Sequence, residues 1–375
     1  MVKTPVHIKE LVPYKAGKPI EELVREKGIK KVVKLASNEN PLGPSPKALE
    51  VIKDNIYELH RYTDPSNYRL VHEIARRYSK KPDQIICGSG SDSLIQYIIM
   101  AFSSCDDELI TSQGTFIGWY VNADKLGRKS IIVPLKNYSY DLQKIAEAVT
   151  VKTKIVYLAN PNNPTGTMFT KKEFEKFMKE IPDSVLVVLD EAYTIYAESN
   201  PDYPNGLRYD FENLIVLRTL SKAYGLAGLR LGFAASSPAI IKELYKVKLP
   251  FEPNYLAQQA AIAAFEDEKF INKTIETNRK SLELMKTVFN EIGIKSIPTF
   301  ANFFLLIFPT QEFAFEFSEE CLNRGLILRH LPAFGLPDCI RINSGTLDET
   351  YFALDVIRTV YPKLFKKYKK FIIDN

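Results

Sequence analysis

Cysteine, histidine and tryptophan are scarce in this chain of 375 residues, which has four Cys, four His and one Trp. The cysteines Cys87, Cys105, Cys321 and Cys339 form no Cys-x-x-Cys pair, and none has a histidine beside it. Neither a zinc site nor a disulfide framework is supported. Long hydrophobic runs are also missing. A membrane-crossing helix needs about 18 apolar residues, and the apolar stretch around Leu94–Cys105 is shorter and contains Gln and Ser. The N-terminus, MVKTPVHIKELVPY, has charges and prolines where a signal peptide needs an apolar segment. A cytoplasmic location is therefore expected. Charge of one sign is not in excess. The 50 Lys+Arg against 45 Asp+Glu leave +5, too little for a nucleic-acid footprint. The one basic cluster, residues 363–371, reads as the solvated face of a last helix. No repeat, low-complexity tract or Gly/Ser linker occurs.

What is present suits a globular α/β protein: 45% hydrophobic and 25% charged residues. Short runs rich in Val, Ile and Leu read as buried strands at Gln84–Cys87, Glu108–Ile110, Lys129–Val133, Lys154–Leu158, Val185–Leu189 and Leu214–Leu217. Helix-like segments lie between several of them, such as Thr170–Glu180, which Thr170 can cap. This alternation predicts a mostly parallel sheet covered on both faces. Residues 1–40 read as an arm, 41–265 as the large domain, and 266–375 as a smaller α+β domain on which the arm packs. The small domain opens with one long helix, from about Glu266 to about Ile292, and has strand candidates at Phe303–Phe308 and Cys339–Asn343.

Ligands of open α/β sheets bind beyond the carboxyl ends of the strands, so the residues there matter most. Gln84–Cys87 leads into Gly88-Ser-Gly-Ser-Asp-Ser93 and a helix. Lys154–Leu158 leads into Asn160-Pro-Asn-Asn-Pro-Thr-Gly166. Val185–Leu189 is followed by Asp190-Glu-Ala-Tyr193, and Leu214–Leu217 by Arg218-Thr-Leu-Ser-Lys222 and Ala227-Gly-Leu-Arg230. Each alone has an ordinary reading as a turn, a cap or a solvated charge. The acidic end of VLVVLDEA suits a nucleotide hydrolase, but the Gly-x4-Gly-Lys-Ser/Thr run such an enzyme needs is absent. The dinucleotide fingerprint fails because Ser93 stands at its third glycine, and no Gly-x-Ser-x-Gly elbow exists.

Together the four strand ends are far more specific. A buried Asp, a Lys 32 residues later and an Arg eight beyond that form the set a pyridoxal phosphate site requires. A lysine amine couples to the aldehyde and moves protons, and a carboxylate keeps the ring nitrogen protonated. Tyr and Asn donate to the ring oxygen, while a Gly/Ser loop, a helix start and an Arg hold the phosphate.

With these motifs goes a wider resemblance. The sequence resembles the histidinol-phosphate aminotransferase family of fold-type I pyridoxal-phosphate enzymes across nearly the whole chain. The likeness includes Val12-Pro-Tyr14-Lys-Ala-Gly17, Ser37-Asn-Glu-Asn-Pro41, Arg61-Tyr-Thr-Asp-Pro65, Phe334-Gly-Leu-Pro337 and Arg341-Ile-Asn-Ser-Gly-Thr346. The resemblance implies that Lys222 holds the cofactor and Asp190 pairs with its ring nitrogen. Tyr193 and Asn163 would contact the phenolic oxygen, and Phe116 would stack on the ring. Ser91, Asp92, Thr219, Ser221 and Arg230 would bind the phosphate, and Tyr62 would reach the cofactor phosphate of a neighbouring subunit in a homodimer. Arg329 and Arg341 would bind the anionic end of the substrate, with Tyr14 closing over it. The implied reaction is transamination between histidinol phosphate and 2-oxoglutarate in histidine synthesis. An aromatic amino-acid aminotransferase of the same fold and a decarboxylase of a phosphorylated amino acid are the alternatives. A transcriptional regulator with an aminotransferase-like domain is disfavoured, since the first 40 residues contain no helix pair. Two places depart from the family pattern: Gln113-Gly114-Thr115, where Pro is common, and Pro250-Phe-Glu-Pro-Asn-Tyr255, where many members are shorter. Both could line the substrate pocket.

Overall fold

The computed structural model describes residues 2–13, 25, 28–29 and 31–373, with side chains up to residue 368. After the short β1 (Val33–Lys34) come β2 (Ile85–Gly88), β3 (Glu108–Ser112), β4 (Lys129–Val133), β5 (Thr153–Ala159), β6 (Leu186–Asp190), β7 (Leu214–Thr219) and β8 (Gly232–Ala235). The last seven form one sheet in the order β2–β8–β7–β6–β5–β3–β4. Neighbours from β7 to β4 run parallel, and only β8 is antiparallel to both strands it touches. Sequence reading misses β8, because Gly-Phe-Ala-Ala has no β-branched residue to announce a strand. Its insertion leaves the carboxyl ends of β2, β5, β6 and β7 on one edge.

The inner strands are apolar over most of their length because both faces are covered. Along β5, Val156 and Leu158 join one core with Val187, Leu189 and Val216. Ile155 and Tyr157 join the other, with Val188, Ile215, Leu217 and Trp119. The two-residue period of a strand sorts these neighbours to opposite sides. Helix ends follow local chemistry. Thr170 and Glu173 form a reciprocal capping box, with Thr170 N–H donating to Glu173 Oε2 at 2.7 Å. The long helix Glu268–Ile292 starts on Asp267, which accepts the Phe270 N–H, and ends at Gly293 in the left-handed region.

A second sheet follows: β9 (Lys295–Ser296), β10 (Phe303–Ile307), β12 (Arg329–Leu331) and β13 (Leu336–Asn343), antiparallel in the order β12–β13–β10–β9. It packs with the long helix and the C-terminal helix Leu347–Ile373 around Phe289, Phe313, Phe317 and Ile357. In that last helix Lys367 donates to Glu316 across to the Gln311–Leu322 helix, so part of the basic cluster is paired. The N-terminal arm divides between the two units. β1 pairs in parallel with β11 (Leu326–Ile327), while the Val6–Lys9 turn lies against the large unit, with His7 beside Gly127.

Candidate active site

The four strand ends converge on one cavity. It is lined by Ser91, Asp92, Phe116, Asn163, Asp190, Tyr193, Thr219, Ser221, Lys222 and Arg230, with Ala159, Pro161 and Ala192 between them. Every large-unit residue expected within one subunit's cofactor site is therefore in its wall. β6 delivers Asp190 at its last position, buried, where Oδ1 accepts the Ala192 N–H at 3.1 Å and Oδ2 accepts the Tyr157 hydroxyl at 2.7 Å. Burial pushes the Asp190 carboxyl up to about 6 against these two hydrogen bonds, which hold it down. Such a group welcomes a cationic partner.

Lys222 follows β7, and its Nζ donates to the Ser37 carbonyl at 3.2 Å. Burial first, and then the positive charge of Arg341, bring its ammonium down to about 8. Tyr193 is buried edge-on to Phe303, with ring centroids 5.2 Å apart, and its oxygen accepts from Asn38 Nδ2 at 2.7 Å. Burial raises the Tyr193 phenol to about 12, so it stays protonated and can donate.

At the other end lies the start of the Ser91–Phe102 helix, with Gly90 before it and no side chain capping its first amides. Arg230 Nη1 reaches Ser221 Oγ at 3.5 Å, and Nη2 stands 3.7 Å from Asp92 Oδ2. Arg230 itself is left-handed, at φ 55°. Two glycines make this approach possible. A Cβ on Gly90, itself at φ 86°, would lie 2.7 Å from Arg230 Nη2. One on Gly232 would lie 2.8 Å from the Ser91 nitrogen and 2.9 Å from the Arg218 carbonyl oxygen. Helix-start amides, hydroxyls and a guanidinium make an anion cradle.

Above the cavity stands the small unit. Arg329 and Arg341 are direct cross-strand partners on β12 and β13. Arg341 is buried; it donates to Asn163 Oδ1 and, at 2.6 Å, to the Ala36 carbonyl. An arginine only donates, so the Asn163 oxygen is turned to it and the Asn163 NH2 is left for another acceptor. Arg329 lies over the Phe334 ring, 5.8 Å from its centroid. Tyr62 is not in this cavity. It is 84% exposed on the outer face and stacks on Phe251 at 4.5 Å. Tyr14 lies outside the described residues.

Sequence reading passed over several contributors. Asn38 bonds Tyr193 and is itself left-handed, at φ 56°; Asn is among the few residues that adopt this readily. Tyr157 looks like any apolar strand residue until its hydroxyl is placed. The two departures also find partners. Gln113 Nε2 donates to the Gly335 carbonyl at 2.7 Å and the Gly114 N–H to the Phe334 carbonyl at 3.0 Å, tying β3 to the small unit. Glu252 accepts the Ser89 N–H at 3.2 Å and the Tyr97 hydroxyl, bracing the anion loop from outside.

Comparison with known proteins agrees with this geometry. The pattern of the family "Aminotransferase class I and II" matches residues 30–357. Histidinol-phosphate aminotransferase 2 of Hydrogenovibrio crunogenus is 40% identical over 346 residues, covering 92% of each chain. Histidinol-phosphate aminotransferase of Moorella thermoacetica is 38% identical, over 94% of this chain and 92% of its own. The chain belongs to the histidinol-phosphate aminotransferase family. Among solved structures, the Sinorhizobium meliloti histidinol-phosphate aminotransferase in complex with pyridoxal-5'-phosphate superposes with a TM-score of 0.88 at 28% identity. That match covers 96% of this chain and 98% of the other.

The protein is an aminotransferase, and its cofactor is pyridoxal 5'-phosphate. The cavity fits that group: a buried carboxylate at one end, an anion cradle at the other, a lysine amine between them, and room kept by Gly90 and Gly232. When bound, the cofactor supplies an aldehyde that couples to amines and a ring that takes up the electron pair left by a departing proton. Among the described residues no helix is long and apolar enough to cross a membrane.

Proposed function

We propose that this aminotransferase interconverts histidinol phosphate and imidazole-acetol phosphate, with 2-oxoglutarate and glutamate as the second pair, in histidine biosynthesis. The observation that carries the reading is the arginine pair. Arg329 and Arg341 are direct cross-strand partners, and Arg341 meets the cavity wall at Asn163. Two guanidinium groups side by side call for an anionic substrate group. A phosphate monoester meets the need in one half-reaction and a dicarboxylate in the other.

In this reading Lys222 holds the cofactor, and its amine takes and returns the substrate proton. Its depressed pKa, about 8, leaves part of the amine neutral near pH 7. Asp190 faces the ring nitrogen, and Phe116 lies on the ring. Tyr193 and Asn163 donate to the ring oxygen, the latter with the NH2 that Arg341 leaves free to do so. Ser91, Asp92, Thr219, Ser221 and Arg230 hold the phosphate. Tyr14 belongs over the substrate.

We also propose a cytoplasmic homodimer in which Tyr62 serves the partner's cofactor. Tyr57, Leu59, Tyr62, Tyr68, Leu249 and Phe251 are all exposed, and Tyr62 stacks on Phe251; exposed large apolar side chains of this kind favour a second copy. Sedimentation of the purified protein tests this.

For the substrate, the cofactor absorbance is followed as the loaded enzyme meets histidinol phosphate, phenylalanine, tyrosine or glutamate singly. Histidinol phosphate and glutamate are expected to convert it fastest. Efficient conversion by phenylalanine but not by histidinol phosphate would overturn the proposal in favour of an aromatic amino-acid aminotransferase.

A further inference from the structure

We propose that Tyr157 is a positioning residue for the reaction, holding Asp190 ionised and in place for the cofactor ring nitrogen through its hydroxyl. The inference rests on the reading that Asp190 faces that nitrogen. Tyr157 lies on β5, beside β6, with Ala159 paired to Asp190 two positions further along. Its side chain is fully buried, and its hydroxyl meets Asp190 Oδ2 at 2.7 Å. The ring is held flat against the Trp119 indole, with centroids 4.6 Å apart and planes 17° from parallel. The hydroxyl therefore has a fixed aim along the strand.

Direction follows from chemistry. Burial and the neighbouring Asp190 charge keep the Tyr157 phenol protonated, so it donates and the carboxylate accepts. A hydrogen bond to the charged form favours that form. The other groups facing Asp190 do not replace it. The Ala192 N–H holds Oδ1. Asp92, on the Ser91–Phe102 helix, and Glu191, next in the chain, are like charges that oppose ionisation. Tyr193 accepts from Asn38 and keeps its proton for the ring oxygen. Tyr157 is thus the side chain among these that steadies the carboxylate. Tyr157 does not line the cavity and acts through Asp190.

The test uses the holoenzyme carrying pyridoxal phosphate labelled with nitrogen-15 in the ring, and follows the ring-nitrogen chemical shift against pH. Tyr157→Phe keeps the stacked ring and removes only the hydroxyl. Loss of one hydrogen bond to a charged group is expected to weaken the proton's hold on the ring nitrogen by about tenfold, moving its titration midpoint down by about one unit. Cofactor dissociation, measured separately by dialysis equilibrium, is expected to rise with it. Asp190→Asn is the control for the underlying reading. If Asp190→Asn moves the midpoint and Tyr157→Phe leaves it unchanged, Tyr157 has no positioning role. If neither moves it, the pairing of Asp190 with the ring is itself wrong, and the inference falls with it. Tyr157→Leu reports on packing alone: a Tyr157→Phe protein that matches wild type in midpoint, while Tyr157→Leu merely loses stability, would assign Tyr157 to the core.

Discussion

The cofactor end and the substrate end of this cavity are built in opposite ways. The first rests on one rigid sheet, whose neighbouring strands finish at the same edge and deliver Asn163, Asp190 and Lys222 from adjacent positions. The second is assembled from distant parts of the chain: Arg341 from β13, opposite Arg329 of β12, with the Gln113–Gly335 contact tying the large unit to that sheet. Groups that carry the common chemistry sit on the frame. The groups proposed to select the substrate sit on a separate sheet. The difference predicts which substitutions abolish the reaction and which only change its appetite.

The largest effect is expected at the rigid end. Lys222→Ala should lower turnover by about 10⁴-fold or more and lose the cofactor on gel filtration. Retained covalent cofactor would break the assignment. At the assembled end, Arg341→Gln should cut kcat/KM for anionic substrates by about 100-fold, since it removes a buried charge-assisted contact. Cofactor affinity, read by titration, should change much less; an equal loss of both would erase the contrast. Gly232→Ala should weaken cofactor binding by about tenfold, because its Cβ meets backbone of the anion loop and not a flexible side chain. Gln113→Ala removes one inter-unit hydrogen bond, and KM is expected to rise about three- to tenfold with kcat little changed.

The smallest effect concerns stability without cofactor. The folded Lys222 ammonium lies near 8 against 10.5 in a free lysine. Between those values the unfolded chain binds more protons, so stability should rise with pH from about 8 to about 10.5, by roughly 1 kcal/mol per unit. Below pH 8 both states are protonated and the slope from this group vanishes. Comparing urea midpoints at pH 8 and 10 for wild type and Lys222→Met isolates it from other titrating groups; identical slopes would mean that Lys222 is not depressed.

Legibility in the sequence followed the same division. The inner parallel strands are apolar on both faces and end in chemistry, so the Asp190, Asn163 and Lys222 positions stand out, while β4 at the edge matches its expected span through its Ile-Ile-Val run. The antiparallel β8 does not, since four small or aromatic residues carry no alternation. Arg329 and Arg341 were named by resemblance, whereas their facing register on β12 and β13 needed the fold. Asn38 and Tyr157 escaped for a related reason. A hydrogen bond between residues 155 positions apart, like that of Asn38 to Tyr193, leaves no periodicity behind.

The Pro250–Tyr255 segment holds two things at once. Its Glu252 grips the amide of Ser89 in the anion loop, and its Phe251 carries Tyr62 on the outer apolar face. A second copy seated on that face would press on the same short stretch that shapes the phosphate cradle. In the proposed homodimer, loading with cofactor and pairing of subunits are then linked equilibria, and whatever factor one applies to the other's affinity is returned in equal measure. Dilution with and without cofactor is where the proposed dimer would reveal that link.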